Sequence, residues 1–312
     1  MLRCALVLAL FVFSACLVEP STSSVKLPLP DGGLIPGVTW HGNVAPIIAE
    51  HCQRCHDVGG IAPFPLMTYE QSAPLAASIA ASTGDRRMPP FLADNSGDCH
   101  DWKDANWLSD AELQTLAAWS ASGALEGAER DPPAVPALPS IDNPDLTVTM
   151  AESFSPDSEL SDEYRCFILN PELDRERYIT GFEVAPGEAR VVHHVIMYAL
   201  RDENAENSAE TLDSADERTG YACYGGAKVP STMIALWAPG TGAVFFPEGT
   251  GLGLRAGGKL VMQIHYNMDN GSFPDQTAIK FALSDSVDNP GVMTLIGNHD
   301  LSIPPGVEAH VE

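Results

Sequence analysis

The sequence predicts a multidomain α and β chain: a small all-α module followed by an antiparallel β-sandwich of jelly-roll type. Three observations carry this expectation. Residues 38–128 carry helical spacing and caps, residues 129–144 are rich in proline, and beyond residue 145 short β-branched and aromatic runs alternate with Gly/Pro turns. The chain has 312 residues, enough for two hydrophobic cores.

Taken in order, residues 1–16 read as a short export signal. Arg3 is its only basic residue, and the apolar run Ala5 to Phe13 is too short to span a bilayer. Phe13-Ser14-Ala15-Cys16 sets small residues before a cysteine, as in a lipoprotein cleavage box, so Cys16 is the expected lipid-bearing residue, with ordinary signal cleavage and an untethered protein as the alternative. No later segment is apolar enough to cross a membrane. The chain is therefore expected in the periplasm or cell envelope, with a lipid anchor as its only membrane contact. Residues 17–37 read as a flexible Ser/Pro/Gly spacer.

Within 38–128, Val44 to His51 reads as a short helix and Tyr69 to Ala81 as an alanine-rich one. A third opens with the capping box Ser109-Asp110-Ala111-Glu112, carries Leu113, Leu116, Ala117 and Ser120 on one face, and stops near Gly123. After the 129–144 linker, strands are expected at Leu146–Met150, Arg165–Leu169, Tyr178–Val184, Val191–Leu200, Lys259–Met268 and Ala278–Leu283. Asn204 to Glu217 is acidic and poor in apolar residues, and reads as an exposed loop. The formal net charge of −25 argues against nucleic acid or an anionic membrane surface as partner.

Residues 51–56, His-Cys-Gln-Arg-Cys-His, carry the densest chemistry in the chain. Cys52 and Cys55 have the spacing that attaches the two vinyl groups of one haem, and His56 is then placed to ligate the iron. A zinc knuckle, a thioredoxin-like redox pair and a disulfide share the Cys-x-x-Cys spacing. The appended His56 and the export signal favour covalent haem c. Met88, stiffened by Pro89 and Pro90, is the expected second axial ligand. Its rivals are Met67, which demands a tight return around the porphyrin, and plain core packing of Met88.

Of the seven cysteines, Cys4 leaves with the signal, and Cys166 and Cys223 remain as a disulfide in an oxidising compartment. Cys99 is expected to stay free, and His51 and His100 to lie at the surface. Among the nine histidines, His193 and His194 are adjacent in an apolar run, and His265 lies in another, Val261 to Tyr266. Three imidazoles on strands suit copper or zinc, with satisfied core histidines as the alternative. Adjacent strand residues point to opposite faces, so His193 and His194 share an ion only if the strand bulges or the ion sits at its rim.

Two resemblances extend these readings. Cys52 to Phe64, Leu66 to Tyr69, Arg86-Arg87-Met88-Pro89-Pro90 and Trp119 to Ala124 resemble a family of bacterial c-type cytochrome modules, which implies a cytochrome c-like haem domain over 38–128. Residues 160–285 resemble the N-terminal copper domain of the ascorbate-dependent copper monooxygenases, the family of peptidylglycine α-hydroxylating and dopamine β-monooxygenases. The blocks that carry it are Glu163 to Cys166, Val192 to Val195, the Cys223 region, Ala235 to Gly240, Phe246 to Gly249 and Leu260 to Tyr266.

The second resemblance implies that His193, His194 and His265 hold one electron-transfer copper and that Cys166 pairs with Cys223. It further implies a copper domain over 145–287 and the start of a second, truncated domain over 288–312. That second domain holds the oxygen-activating copper on a His-x-His pair, a pattern absent from these 312 residues, so no catalytic residue is assigned. The implied function is that of an exported haem- and copper-containing redox protein. It passes electrons from a donor, either ascorbate or a redox protein, toward an oxygen-activating copper. A non-enzymatic electron-transfer or copper-binding protein is the alternative.

Overall fold

A computed structural model describes residues 37–91, 93–97, 101–295, 302 and 304–306. The predicted signal, Cys16, residues 17–36 of the spacer, Cys99, His100, His299 and His310 lie outside them. No helix among the described residues is long and apolar enough to cross a membrane.

The N-terminal part is built from few and short helices: α1 (Ala45–His51), α2 (Tyr69–Ser72), α3 (Ala76–Gly84) and α4 (Asp110–Ala121). They close over a small core of Trp40, Val44, Ile48, Leu108, Leu113, Leu116 and Trp119. The single helix expected over Tyr69–Ala81 is broken into α2 and α3 by a 3₁₀ turn at Ala73–Leu75. Pro74 sits in that turn, where its missing N–H and its ring interrupt the α-helical ladder. The expected capping box forms. Glu112 accepts from the Ser109 amide at 2.7 Å, and the Ser109 hydroxyl accepts from the Glu112 amide at 3.3 Å. The buried face of α4 is Leu113, Leu116, Ala118 and Trp119, so Ala117 and Ser120 lie at its margin. The Trp119 indole donates to the Leu125 carbonyl at 3.0 Å, which ties the chain after Gly123 back to the helix.

The remainder is a two-sheet β structure. Its strands are β1 (Leu146–Thr149), β2 (Asp162–Leu169), β3 (Arg177–Ala185), β4 (Val192–Leu200), β5 (Tyr221–Ala222), β6 (Ser231–Trp237), β7 (Val244–Phe245), β8 (Thr250–Leu254), β9 (Leu260–Asn267), β10 (Ala278–Ser284) and β11 (Asn289–Gly291). One sheet runs β1-β10-β3-β8-β11, with β7 also on β3, and the other runs β5-β2-β9-β4-β6. All pairs are antiparallel except β11 on β8. The β11 pairing carries the first sheet past residue 287.

Alternating residues of both sheets meet in one core that includes Phe167, Ile179, Phe182, Val195, Met197, Met262, Ile264, Tyr266 and Phe281. The proline-rich segment runs against this body: Ile141 is buried, its amide donates to Glu183 at 2.6 Å, and Ala243 donates to the Pro139 carbonyl at 2.7 Å.

The acidic stretch read as a loop is instead a helix, α5 (Glu203–Ala215). Asp202 caps it by accepting from the Ala205 amide at 2.9 Å. Small Ala205 and Ala209 let it pack on Leu200, Tyr221, Cys223 and Val261, and Glu206 and Glu210 pair with Arg255 and Lys259. Alanine carries little apolar area, so the acidic composition masked this packing face. Cys166 of β2 and Cys223 form a disulfide beneath α5, with Cα atoms 5.8 Å apart.

Candidate metal centre

The site is built from one irregularity in strand pairing. Against β9, Val192 of β4 faces Tyr266 and His194 faces His265, so His193 is an extra residue without a partner. The burial pattern reports the same slip. Val192, Val195 and Met197 all enter the core, and the step of three between the first two reverses the parity of the strand. Both histidines thereby stay out of the core. His193 is exposed, His194 is half-buried, and His265 is buried on the outer face of the sheet.

The three rings converge on their Nδ1 atoms. The His194 Nδ1 lies 3.4 Å from that of His193 and 3.3 Å from that of His265. Two imidazole nitrogens each about 2.0–2.1 Å from one ion in tetrahedral array stand roughly 3.3–3.4 Å apart. The donor set therefore fits one imidazole-loving ion such as copper, held by three Nδ1 atoms.

Residues on β2 fix the orientation of His265. Its Nε2–H donates to the Asp162 carboxylate at 2.8 Å, which leaves the Nδ1 lone pair facing the other two rings. Asp162 also accepts from Ser161 at 3.0 Å and from Asn267 at 3.3 Å. The bond from His265, then those from Ser161 and Asn267, hold its carboxyl below the usual carboxylate range. Tyr164 stacks on His265 with centroids 4.1 Å apart and planes 5° apart. Burial, and then the two neighbouring imidazoles, push His194 down to about 4. Burial lowers His265 as well, against the opposing pull of Asp162. Neutral rings with converging lone pairs are what a cation requires.

Residues 146–272 match the family model of the copper type II ascorbate-dependent monooxygenase, N-terminal domain.

That match contains all three histidines and both disulfide cysteines. A tyramine beta-hydroxylase of Caenorhabditis briggsae is 27% identical over 199 residues, which make up 61% of this chain and 29% of the relative. The chain thus spans less than a third of that protein's length. The β structure is therefore a copper-monooxygenase-like domain, and its rim carries the three-histidine cluster.

The helical part places the other predicted residues as follows. Cys52 and Cys55 are free thiols. Burial, followed by the neighbouring Cys55, pushes Cys52 up to about 12, and burial and Asp57 raise Cys55. His56 donates from Nδ1 to the Phe64 carbonyl at 3.0 Å, which leaves Nε2 free for a ligand. Val58, Phe64 and Met88 are exposed by 81, 42 and 43%.

His51, expected at the surface, is largely buried, with its side chain 10% exposed. Its ring meets Asn106 at 2.7 Å and Glu112 at 3.2 Å. Glu50, His51 and Glu112 form the second cluster of possible ligands among the described residues. Both His51 nitrogens are taken, so this group pins α1 to the start of α4.

Sequence reasoning missed Asp162 and Tyr164. They alternate on β2 opposite Asn267 and His265, a same-face spacing that becomes informative only once the register is known. Asp162→Asn is expected to weaken copper binding by roughly 10- to 100-fold, the usual effect of losing a partner that orients a ligand. Competition with a copper chelator measures it, and unchanged affinity would remove Asp162 from the site.

Proposed function

We propose that this chain is an exported redox protein that holds one copper on His193, His194 and His265 and one covalent haem c on Cys52, Cys55 and His56, with Met88 as second axial ligand. The observation that carries the reading is the convergence of three Nδ1 atoms at one rim of a copper-monooxygenase-like domain. Both groups supply one-electron chemistry when bound. The bulge at His193 presents the ligands to solvent, Asp162 fixes the His265 tautomer, and the half-buried free thiols of Cys52 and Cys55 would form the thioether bonds to haem.

The protein's role on this reading is to relay electrons from a donor, ascorbate or a redox protein, toward the oxygen-activating copper of a monooxygenase. Export, with a lipid on Cys16, sets it in the periplasm or cell envelope. A second reading is an electron-transfer or copper-binding protein without substrate chemistry, which shares the same three-histidine site.

A haem stain on a denaturing gel is expected to label the protein, and Cys52→Ala with Cys55→Ala to abolish the label. An unstained wild-type band would refute the haem assignment and leave the copper assignment standing. Oxygen-dependent hydroxylation by the copper-loaded chain would refute the second reading.

A further inference from the structure

We propose that Asn270 is a clasp that seats the haem-attachment loop on the strand ends that carry the copper ligands, so that the two sites are held at one fixed separation. This rests on the haem-and-copper reading above. The Asn270 side-chain amide donates to the Ile61 carbonyl at 2.8 Å, with the carbonyls of Gly60 and Arg190 at 3.4 Å. Ile61 follows His56 by five residues. Its neighbour Ala62 is tied back to the motif, donating to the Cys55 carbonyl at 3.1 Å. Arg190 precedes His193 by three residues, a stretch of chain that spans at most about 11 Å. Asn270 follows His265 by five. One amide group thus bridges the loop after Cys-x-x-Cys-His, the approach to β4 and the exit from β9.

Each party to the clasp is itself fixed. The Asn270 turn is closed by Gly271 donating to the Met268 carbonyl at 2.9 Å. The Arg190 guanidinium lies 3.5 Å from the Phe273 ring centre and is paired with Glu188 at 2.6 Å. A second contact comes from β6, whose last residue, Trp237, pairs with Val195 of β4. Three residues on, Gly240 has φ +85°, and a Cβ placed there would meet the Cys55 sulfur at 3.6 Å. The Cys55 sulfur and the histidine rim therefore share the ends of β4, β6 and β9. A carbonyl can only accept, so Asn270 works through its two N–H donors, and a carboxylate of the same shape would face three acceptors with none of its own protons.

Asn270→Asp in the full chain tests this with two readouts. In metal-free protein, amide hydrogen exchange over residues 60–62 and 190–192 is expected to rise in the variant, while exchange in β10 stays unchanged. Protection equal to wild type would overturn the clasp. In protein loaded with ferric haem and one Cu(II), pulsed electron paramagnetic resonance should show copper relaxation accelerated by the haem in wild type. The variant should lose that acceleration several-fold, with copper stoichiometry and haem spectrum retained. Equal relaxation in both proteins, or no haem effect in wild type, would overturn the fixed separation. A chain that takes up no haem would instead remove the reading beneath it, with the exchange experiment still deciding the clasp.

Discussion

Replacing any one of His193, His194 or His265 by alanine is expected to abolish most copper binding, with affinity falling by about a hundredfold or more. Loss of an orienting partner alone costs roughly 10- to 100-fold, and removing a donor atom costs more. The wild-type chain should bind one copper, because the only other ligand cluster among the described residues has its imidazole committed to Asn106 and Glu112. Affinity should fall as pH falls, since protons compete for the same nitrogens. Burial and the neighbouring rings hold His194 near 4, so proton competition at that ring sets in only as pH falls toward 4.

The same shift makes a pH-dependent contribution to the stability of the metal-free chain. The unfolded chain takes up this proton near 6.5 and the folded chain near 4, so stability is full above about 6.5 and declines as pH drops toward 4. Chelator competition across pH, with metal analysis of the purified protein, checks both expectations. Two coppers per chain, or an alanine variant with wild-type affinity, would refute the assignment.

The largest effect on stability is expected from the disulfide. Cys166 and Cys223 are both fully buried and separated by 57 residues. Closing a loop of that length in the unfolded chain is worth roughly 4 kcal/mol in the chain-entropy account. Cys166→Ala with Cys223→Ala should therefore lower the denaturation midpoint markedly, and a loss below about 1 kcal/mol would refute the argument.

Copper affinity should decline in the same variant. Cys166 lies opposite Gln263, one same-face step from the Tyr164–His265 pair. The Gln263 side chain donates to the Cys223 carbonyl at 2.6 Å, and Tyr224 packs edge-on against Tyr164 at 4.9 Å. The bridge thus supports the floor of the metal site as well as the fold.

Strands β1, β2, β3, β4, β9 and β10 were legible because each of their runs combines β-branched residues with turn residues at its ends, whereas β5, β6, β7, β8 and β11 were not among the expected runs. The capping box at Ser109 was equally plain, since both partners are local. The ligand trio was legible through chemistry, as adjacent histidines in an apolar run demand an explanation. What stayed hidden needed long-range pairing. Asp162, Tyr164 and Asn270 are ordinary residues until the β2–β9 register and the loop contact place them. Pro74 is the local mark of the break between α2 and α3. The α5 helix was missed because its buried face is only alanines, and His51 because its partners lie 55 and 61 residues away.

The three imidazoles stand on the outer face of the sheet, two on β4, whose one extra residue leaves the interior packing untouched, and one on β9. This bears on the order of assembly. A chain whose core closes without any ligand atom can fold first and acquire its ion afterwards, in contrast to small domains whose only route to a folded state is through the metal. Copper can then be taken up where the folded protein resides rather than where it is made. The site can also be emptied, refilled or lost through single substitutions at the rim while the scaffold persists.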